Sequence, residues 1–251
     1  MRLDKYLAEK FGPRNRAANA IARGLVLVNG CVRPASYEVK EGDDVVINLE
    51  QPMFASEGGY KLYKALTDFG ADVNGAVFAD IGASTGGFTD CLFRFGASKV
   101  YCIDVGESQL DAALLNRNVV VIDNFNARGL TKSMFAEKLD GVTIDVSFIS
   151  LTYILGAVSS VLEDGARVFA LIKPQFECES RSVGKNGIVR GSERHRKIIE
   201  MIYDFCIACS LAPVALTTAP EKKGKNIEYV ILLEKGSHPV PFEKLLERVK
   251  L

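Results

Sequence analysis

The stretch Asp80-Ile81-Gly82-Ala83-Ser84-Thr85-Gly86-Gly87 follows an apolar run and opens onto a helical pattern, so its residue types sit where a ligand can be met. Glycines at 82 and 86 allow the backbone to approach a bound group closely, and the main chain at Ser84 and Thr85 offers polar contacts. A phosphate loop would need a lysine directly after its last glycine, and none is present. The dinucleotide spacing Gly-x-Gly-x-x-Gly is also absent, because the pattern here is Asp-x-Gly-x-x-x-Gly-Gly. Asp104 ends the next apolar run, roughly 20 residues on, where a carboxylate can accept from two ribose hydroxyls. Together Asp80, Gly82, Ala83, Ser84, Thr85, Gly86, Gly87 and Asp104 read as a seat for S-adenosylmethionine. A turn that uses glycine for shape alone is the plainer alternative, and the two strand-end aspartates weigh against it.

The elements that must hold this turn alternate. From Lys61 onward the chain reads as strand (GAVFADIG), helix (GGFTDCLFRFG), strand (KVYCIDVG), helix (QLDAALL), strand (VVVIDN), helix (TKSMFAEKL), strand (GVTIDVSF), helix (LTYILGAVSSVL) and strand (ARVFALIKPQF). A long helix, SERHRKIIEMIYDFCIACSL, then leads to PVALTT and IEYVILLE, expected as an antiparallel hairpin. Such alternation predicts a parallel sheet with helices on both faces, and the first βα turn falls at the carboxyl edge where open α/β sheets bind ligands. The fold class is α/β, a Rossmann-like sheet with an S-adenosylmethionine seat, preceded by a small α+β unit.

That unit occupies residues 1–50. Leu3, Tyr6 and Leu7 make one apolar stripe at helical spacing; Ala17, Ala20 and Ile21 make a second, with Arg16, Asn19 and Arg23 opposite. Gly24 ends the second helix, LVLVNG runs into an Asn-Gly turn, and DDVVINL is a later strand. Net charge is zero over the chain, yet residues 1–33 carry seven basic side chains against two acidic ones, a balance that favours nucleic acid. Pro52, Gly58 and Gly59 break all periodicity, which places a linker at 51–60 and the larger domain at 61–251.

At 251 residues with 48% hydrophobic content the chain can bury a large core. No apolar run approaches the roughly 20 residues that cross a bilayer, so no stable membrane insertion is expected, and the location is read as cytoplasmic. Six scattered cysteines look like small buried hydrophobes of a reducing compartment. Cys206 and Cys209 form a single C-x-x-C inside a helical pattern without a second pair or nearby histidine; His195 and His238 cluster with nothing, and no metal is expected.

The phrases RLDKYLA, Arg14-x-x-Ala17 and GLVLVNG resemble the S-four-type RNA-binding domain over about residues 2–48. With GASTGGFT, IDVG, NARGL, DVSFISL, LIKPQFE, VGKNGIV and NIEYVILLE in order, nearly the whole chain resembles the TlyA family, such a domain followed by an FtsJ-like methyltransferase. The resemblance implies methyl transfer from S-adenosylmethionine to ribose 2′-hydroxyls of ribosomal RNA, with ribosomal RNA or ribosomal subunits as partner. It also implies a catalytic Lys-Asp-Lys-Glu tetrad at Lys61, Asp145, Lys173 and Glu228, and adds Asn126 of NARGL to the cofactor site. Arg14, Arg16 and Arg23 are then the RNA-facing cations of the head, and Lys185 and Arg190 are candidates in the loop VGKNGIVR.

The tetrad residues suit that work. A ribose hydroxyl is a poor nucleophile until its proton is removed or its developing charge is stabilised. Lys173 ends the apolar run VFALI, where burial favours a neutral amine while neighbouring carboxylates favour the ammonium. Asp145 and Glu228 can orient the two lysines, and Lys61 can hold the reacting hydroxyl. Two positions depart from the family pattern. Glu57 stands where Arg is common before the first tetrad lysine, and Pro13 replaces a common Ser at a helix start. Two other classes of function remain open at this point: a membrane-active haemolysin, a label the family also carries, and an RNA-binding protein with an inactive methyltransferase fold.

Overall fold

The computed structural model describes the chain except residues 12–13, 23–24, 48–53, 108, 179–183, 185, 223 and 250, and the side chains of 10, 11, 14 and 15. Two helices, α1 (Leu3–Phe11) and α2 (Arg14–Ala22), pack Leu3, Leu7, Ala17, Ala20 and Ile21 onto a three-stranded sheet. Its strands are β1 (Val26–Val28), β2 (Cys31–Val32) and β3 (Val45–Ile47), in the order β2-β1-β3. Asn29 and Gly30 both take positive φ, 53° and 74°, and Val28 pairs with Cys31. This is the two-residue hairpin that an Asn-Gly pair favours, because its twist matches the flanking strands. The expected helix stop at Gly24 lies outside the described residues.

Helix α3 (Gly58–Phe69) begins inside the stretch read as linker, and Phe54 and Ala55 before it are buried. Phe54 is wedged edge-on against Tyr60, with ring centroids 5.0 Å apart. The helix ends at Gly70, whose left-handed φ of 59° lets the Ala71 N–H reach back to the Leu66 carbonyl.

The sheet follows: β4 (Val77–Ile81), helix α4 (Gly87–Arg94), β5 (Lys99–Ile103), β6 (Val119–Ile122), β7 (Gly141–Ile144), helix α5 (Leu155–Val161), β8 (Arg167–Ile172), the single turn α6 (Pro174–Glu177), helix α7 (Ser192–Ala208), β9 (Leu211–Thr218), β10 (Tyr229–Lys235) and α8 (Phe242–Leu246). Strand order is β6-β5-β4-β7-β8-β10-β9; the first five are parallel, and β10 runs antiparallel to both β8 and β9. The expected closing hairpin is therefore present, with β10 inserted beside β8.

Two cores result from strand alternation. Phe78, Val100, Cys102 and Phe169 face α3 and α4, while Ile81, Ile103, Val142 and Ile172 face α5 and α7. The order of strand addition reverses at β4, outward through β5 to β6 and then back to β7 on the other side, which makes the carboxyl ends of β4 and β7 the switch point where a crevice must open.

Two expected helices are missing. Residues 109–115 form turns, because the Asp111 carboxylate accepts the Ala113 N–H at 2.9 Å in a local bond that competes with a helix. Residues 131–139 hold only a 3₁₀ turn at Lys132–Met134, after which the Ala136 N–H is taken by the Tyr101 hydroxyl at 3.0 Å.

Candidate functional site

The glycine turn leaves β4 at the switch point. Gly82 has a φ of 79°, and a Cβ there would lie 2.6 Å from the Asp145 carbonyl oxygen at the end of β7. Gly86 has a φ of 86°, and a Cβ there would lie 2.3 Å from Leu114. Gly82 thus needs glycine for conformation and for space, since its neighbour is backbone, whereas Gly86 needs it for conformation, its neighbours being the tips of leucine side chains. Ser84 also takes a positive φ, 47°, between them.

Asp104, just past β5, stitches this turn to its own strand end. One carboxylate oxygen accepts the Ser84 N–H and the other the Gly106 N–H, each at 2.8 Å. Each oxygen keeps one acceptor position, so Asp104 can still meet a hydroxyl while holding the turn.

These residues face a cavity of about 370 Å³ whose wall includes Gly82, Ser84, Asp104, Asn126, Phe125 and Ile154. Asn126 accepts the Arg128 N–H at 3.1 Å, which fixes its side chain at the cavity rim. Ala83, Thr85 and Gly87 line an adjoining cleft of about 320 Å³ together with Asp145, Ser147 and Lys173.

Asp80 departs from expectation. Its side chain points away from both spaces into the layer between β4 and α4, fully buried, and accepts the hydroxyls of Thr89 at 2.7 Å and Thr143 at 2.8 Å. Burial pushes its carboxyl up to about 6 against the pull of those two donors, and the Asp145 charge adds to the rise. Strand alternation is the cause: Asp80 shares the face of Phe78, so it braces the turn from behind.

The four charged residues converge. Asp145 follows β7, Lys173 follows β8 and precedes α6, Glu228 precedes β10, and Lys61 reaches in from α3. Lys173 Nζ lies 2.6 Å from Asp145 Oδ1 and donates to Ser147 Oγ at 2.8 Å. Lys61 Nζ lies 2.7 Å from Glu228 Oε2 and 3.9 Å from Asp145 Oδ2. The result is a chain of alternating charge, Glu228–Lys61–Asp145–Lys173, in which each cation has a carboxylate beside it. The Lys173 side chain is 9% exposed, which removes most of the water that would screen the pair.

The RNA candidates divide. Arg23 and Lys185, and the side chain of Arg14, lie outside the described residues. Arg190 is exposed. Arg16 is a correction: its side chain is 14% exposed and ion-pairs with Asp111 at 3.3 Å and Asp90 at 3.7 Å, so it joins α2 to the larger unit and is not displayed to solvent. Asn19, one turn along α2, lines the cleft that holds Lys173.

Two functional candidates escape a reading by motif. Phe148 is 91% exposed, with a φ of 65°, and its ring lies 5.2 Å from that of Phe176 at the mouth of the cavity. A bare aromatic three residues after a strand-end aspartate was the available signal. His195 is buried, bonded to the Tyr229 hydroxyl at 2.8 Å and the Val189 carbonyl at 3.1 Å, and it ties the loop before α7 to β10. In the sequence it sits in a polar stretch, and its spacing to Ile198, Ile199 and Ile202 was the one signal that it faces inward.

Cys206 is buried in α7 and its thiol is raised by burial, as expected of a packing residue. Among the described residues no group of three or more His, Cys, Asp or Glu could hold a metal, and no helix is long and apolar enough to cross a membrane.

A family model for FtsJ-like methyltransferases matches residues 54–235, and one for the S4 domain matches residues 1–45. The chain is 41% identical over 236 residues to Hemolysin A of Brachyspira hyodysenteriae, covering 92% of this chain and 98% of that protein. It is 38% identical over 238 residues to the 16S/23S rRNA (cytidine-2′-O)-methyltransferase TlyA of Mycobacterium tuberculosis, covering 92% and 89%. A solved structure from Streptococcus thermophilus, provisionally classed as a hemolysin, aligns with a TM-score of 0.76 at 36% identity, over 98% of this chain and 94% of that one. A methyltransferase sheet behind an S4 domain, with relatives of this identity along nearly all its length, places the chain in the TlyA family of FtsJ-like methyltransferases.

Proposed function

We propose that the protein methylates the 2′-hydroxyl of a ribose in ribosomal RNA, with S-adenosylmethionine as donor. The observation that carries this reading is the alternating chain Glu228–Lys61–Asp145–Lys173 beside a cavity that shares Asp145, Ser147, Gly82 and Ser84 with the catalytic cleft. The residues suit the donor: a backbone cradle that a Cβ at Gly82 would fill, acceptors on Asp104, and apolar walls from Phe125 and Ile154 for a flat ring. When bound, that donor supplies an electrophilic methyl group on a sulfonium.

Lys173 acts from its neutral amine form: it takes the proton of the ribose hydroxyl as the oxygen gains the methyl group, and the ammonium so formed is held by Asp145 and Ser147. Lys61, fixed by Glu228, steadies the oxygen as negative charge develops on it. The bare ring of Phe148 offers a stacking face at the cavity mouth for a base taken out of its helix. Residues 1–50 act as the RNA-binding head, 51–60 as the connection, and 61–251 as the methyltransferase, working in the cytoplasm where ribosomal RNA resides.

The test is tritiated methyl transfer from S-adenosylmethionine onto unmodified small and large ribosomal subunits, with the labelled nucleotide mapped. Label on a ribose 2′-oxygen is expected. Label on a base, or none on either subunit, overturns the proposal.

A further inference from the structure

A second groove, of about 430 Å³, opens off the same ion pairs and shares no lining residue with the cofactor cavity. Lys61 and Glu228 form its inner wall, so any group seated there lies next to the residues that handle the hydroxyl. Gln175, in α6, lines it too. The Gln175 Oε1 atom is buried and has no hydrogen-bond partner among the described residues, an acceptor in want of a donor. The far wall is braced by Asn226, which accepts the Val189 N–H at 2.8 Å and donates to the Gly187 carbonyl at 2.7 Å.

At the outer rim Lys222 pairs with Glu57, with side chains 49% and 27% exposed. Lys225 is exposed beside it. A pair this open to water is weak, so one of its members can change partner at little cost. Glu57 is also the residue that departs from the family pattern, and it stands beside the lysine at the mouth of the groove.

We propose that this groove seats the RNA nucleotide adjoining the one that is methylated, its phosphate exchanging with Glu57 for Lys222 and a ribose or base donor bonding Gln175 Oε1. The inference rests on the reading of the protein as an RNA methyltransferase and names how the strand is held beside the reacting ribose. A phosphate suits Lys222 because the ammonium acts as a point charge that needs no fixed approach angle. Glu57 then makes the groove selective, since a ligand without an anion at that place leaves the Glu57–Lys222 pair closed.

Binding of the full chain to unmodified small and large ribosomal subunits is measured at several salt concentrations, alongside methyl transfer. Glu57→Gln should tighten binding about threefold with the salt slope unchanged, because the same phosphate contact is made without first breaking the Glu57–Lys222 pair. Lys222→Ala should weaken binding about threefold or more and flatten the slope, and the double variant should match Lys222→Ala. Gln175→Leu should lower transfer at limiting RNA by up to about tenfold with cofactor affinity unchanged. A gain from Glu57→Gln that persists without Lys222 would overturn the exchange, as would an unchanged slope in Lys222→Ala. Wild-type protein that labels neither subunit refutes the enzymatic reading itself, whereas labelled RNA with additive Glu57 and Lys222 effects refutes the groove alone.

Discussion

The carboxyl edge of the sheet holds two neighbouring workplaces built from different material. The cofactor end, residues 82–87 with Asp104, is made of backbone: positive φ at Gly82, Ser84 and Gly86, and N–H groups pinned by one carboxylate. The proposed catalytic end is made of long side chains, Lys61, Lys173 and Glu228, meeting around Asp145. A backbone cradle is fixed once the fold forms and fails through added volume, while a charge chain fails through lost atoms. The same kind of substitution should therefore have opposite signatures at the two ends.

The largest effect is expected at Gly82. Alanine there must hold a left-handed φ, costing about 1 to 3 kcal/mol, and must displace the β7 carbonyl, at about 1 to 3 kcal/mol more for overpacking. Both unfolding stability and cofactor affinity should drop, measured by denaturation and calorimetry. Normal values for both would show the cradle to be plastic and the contrast unreal.

Lys173→Ala should invert that pattern. Cofactor affinity stays near normal while single-turnover methyl transfer falls by about 10²-fold or more, the scale of a lost acid–base group. Arginine should not restore the rate, since guanidinium holds its proton at every accessible pH. Full activity of Lys173→Arg would turn Lys173 from proton acceptor into a fixed charge.

Asp80 separates bracing from binding within the cofactor end. Its carboxyl is raised to about 6 by burial, so between about pH 4 and pH 6 the folded chain holds a proton that the unfolded chain has released. Stability contributed by the neutral form is whole below the unfolded value and lost as pH rises through the folded one, by up to roughly 3 kcal/mol. Asp80→Asn should remove that slope from the urea midpoint measured against pH. A slope that survives in the variant would assign it to another group.

The smallest effect distinguishes two arginines once grouped together. Arg190→Ala should weaken RNA binding a few-fold and reduce the salt slope by about one, as loss of one phosphate contact does. Arg16→Ala should leave that slope in place, because its charge is already spent on Asp111 and Asp90. Equal slope changes in both variants would return Arg16 to the RNA surface.

What could be read from the residues follows the same division. The glycine turn was legible because backbone needs leave a mark in residue type, and the sheet was legible because runs such as VFALI admit little besides a buried strand. QLDAALL read as a helix and is not one, since the Asp111 bond to Ala113 is invisible to periodicity and Leu110 and Leu114 are held against Gly86 instead. Asp80 looked like a ligand contact, and only the face of β4 on which it lies shows otherwise. The tetrad was placed by resemblance, and its spacing along the chain, from Lys61 to Glu228, carries no trace of the distances in space.

Arg16 has one further consequence. Asp111, its nearer partner, donates its N–H to the Thr85 carbonyl in the cofactor turn at 3.3 Å, while Asp90 accepts the Ala55 N–H just ahead of α3 at 2.9 Å. The head is thereby clasped at two points to the framework that carries the glycine turn and α3, and under the proposed function the separation between its RNA-binding surface and the reacting ribose becomes a length set by the protein. On the proposed function such a molecule would work as a caliper: a target must offer the right nucleotide, and must also offer a second surface at the matching reach.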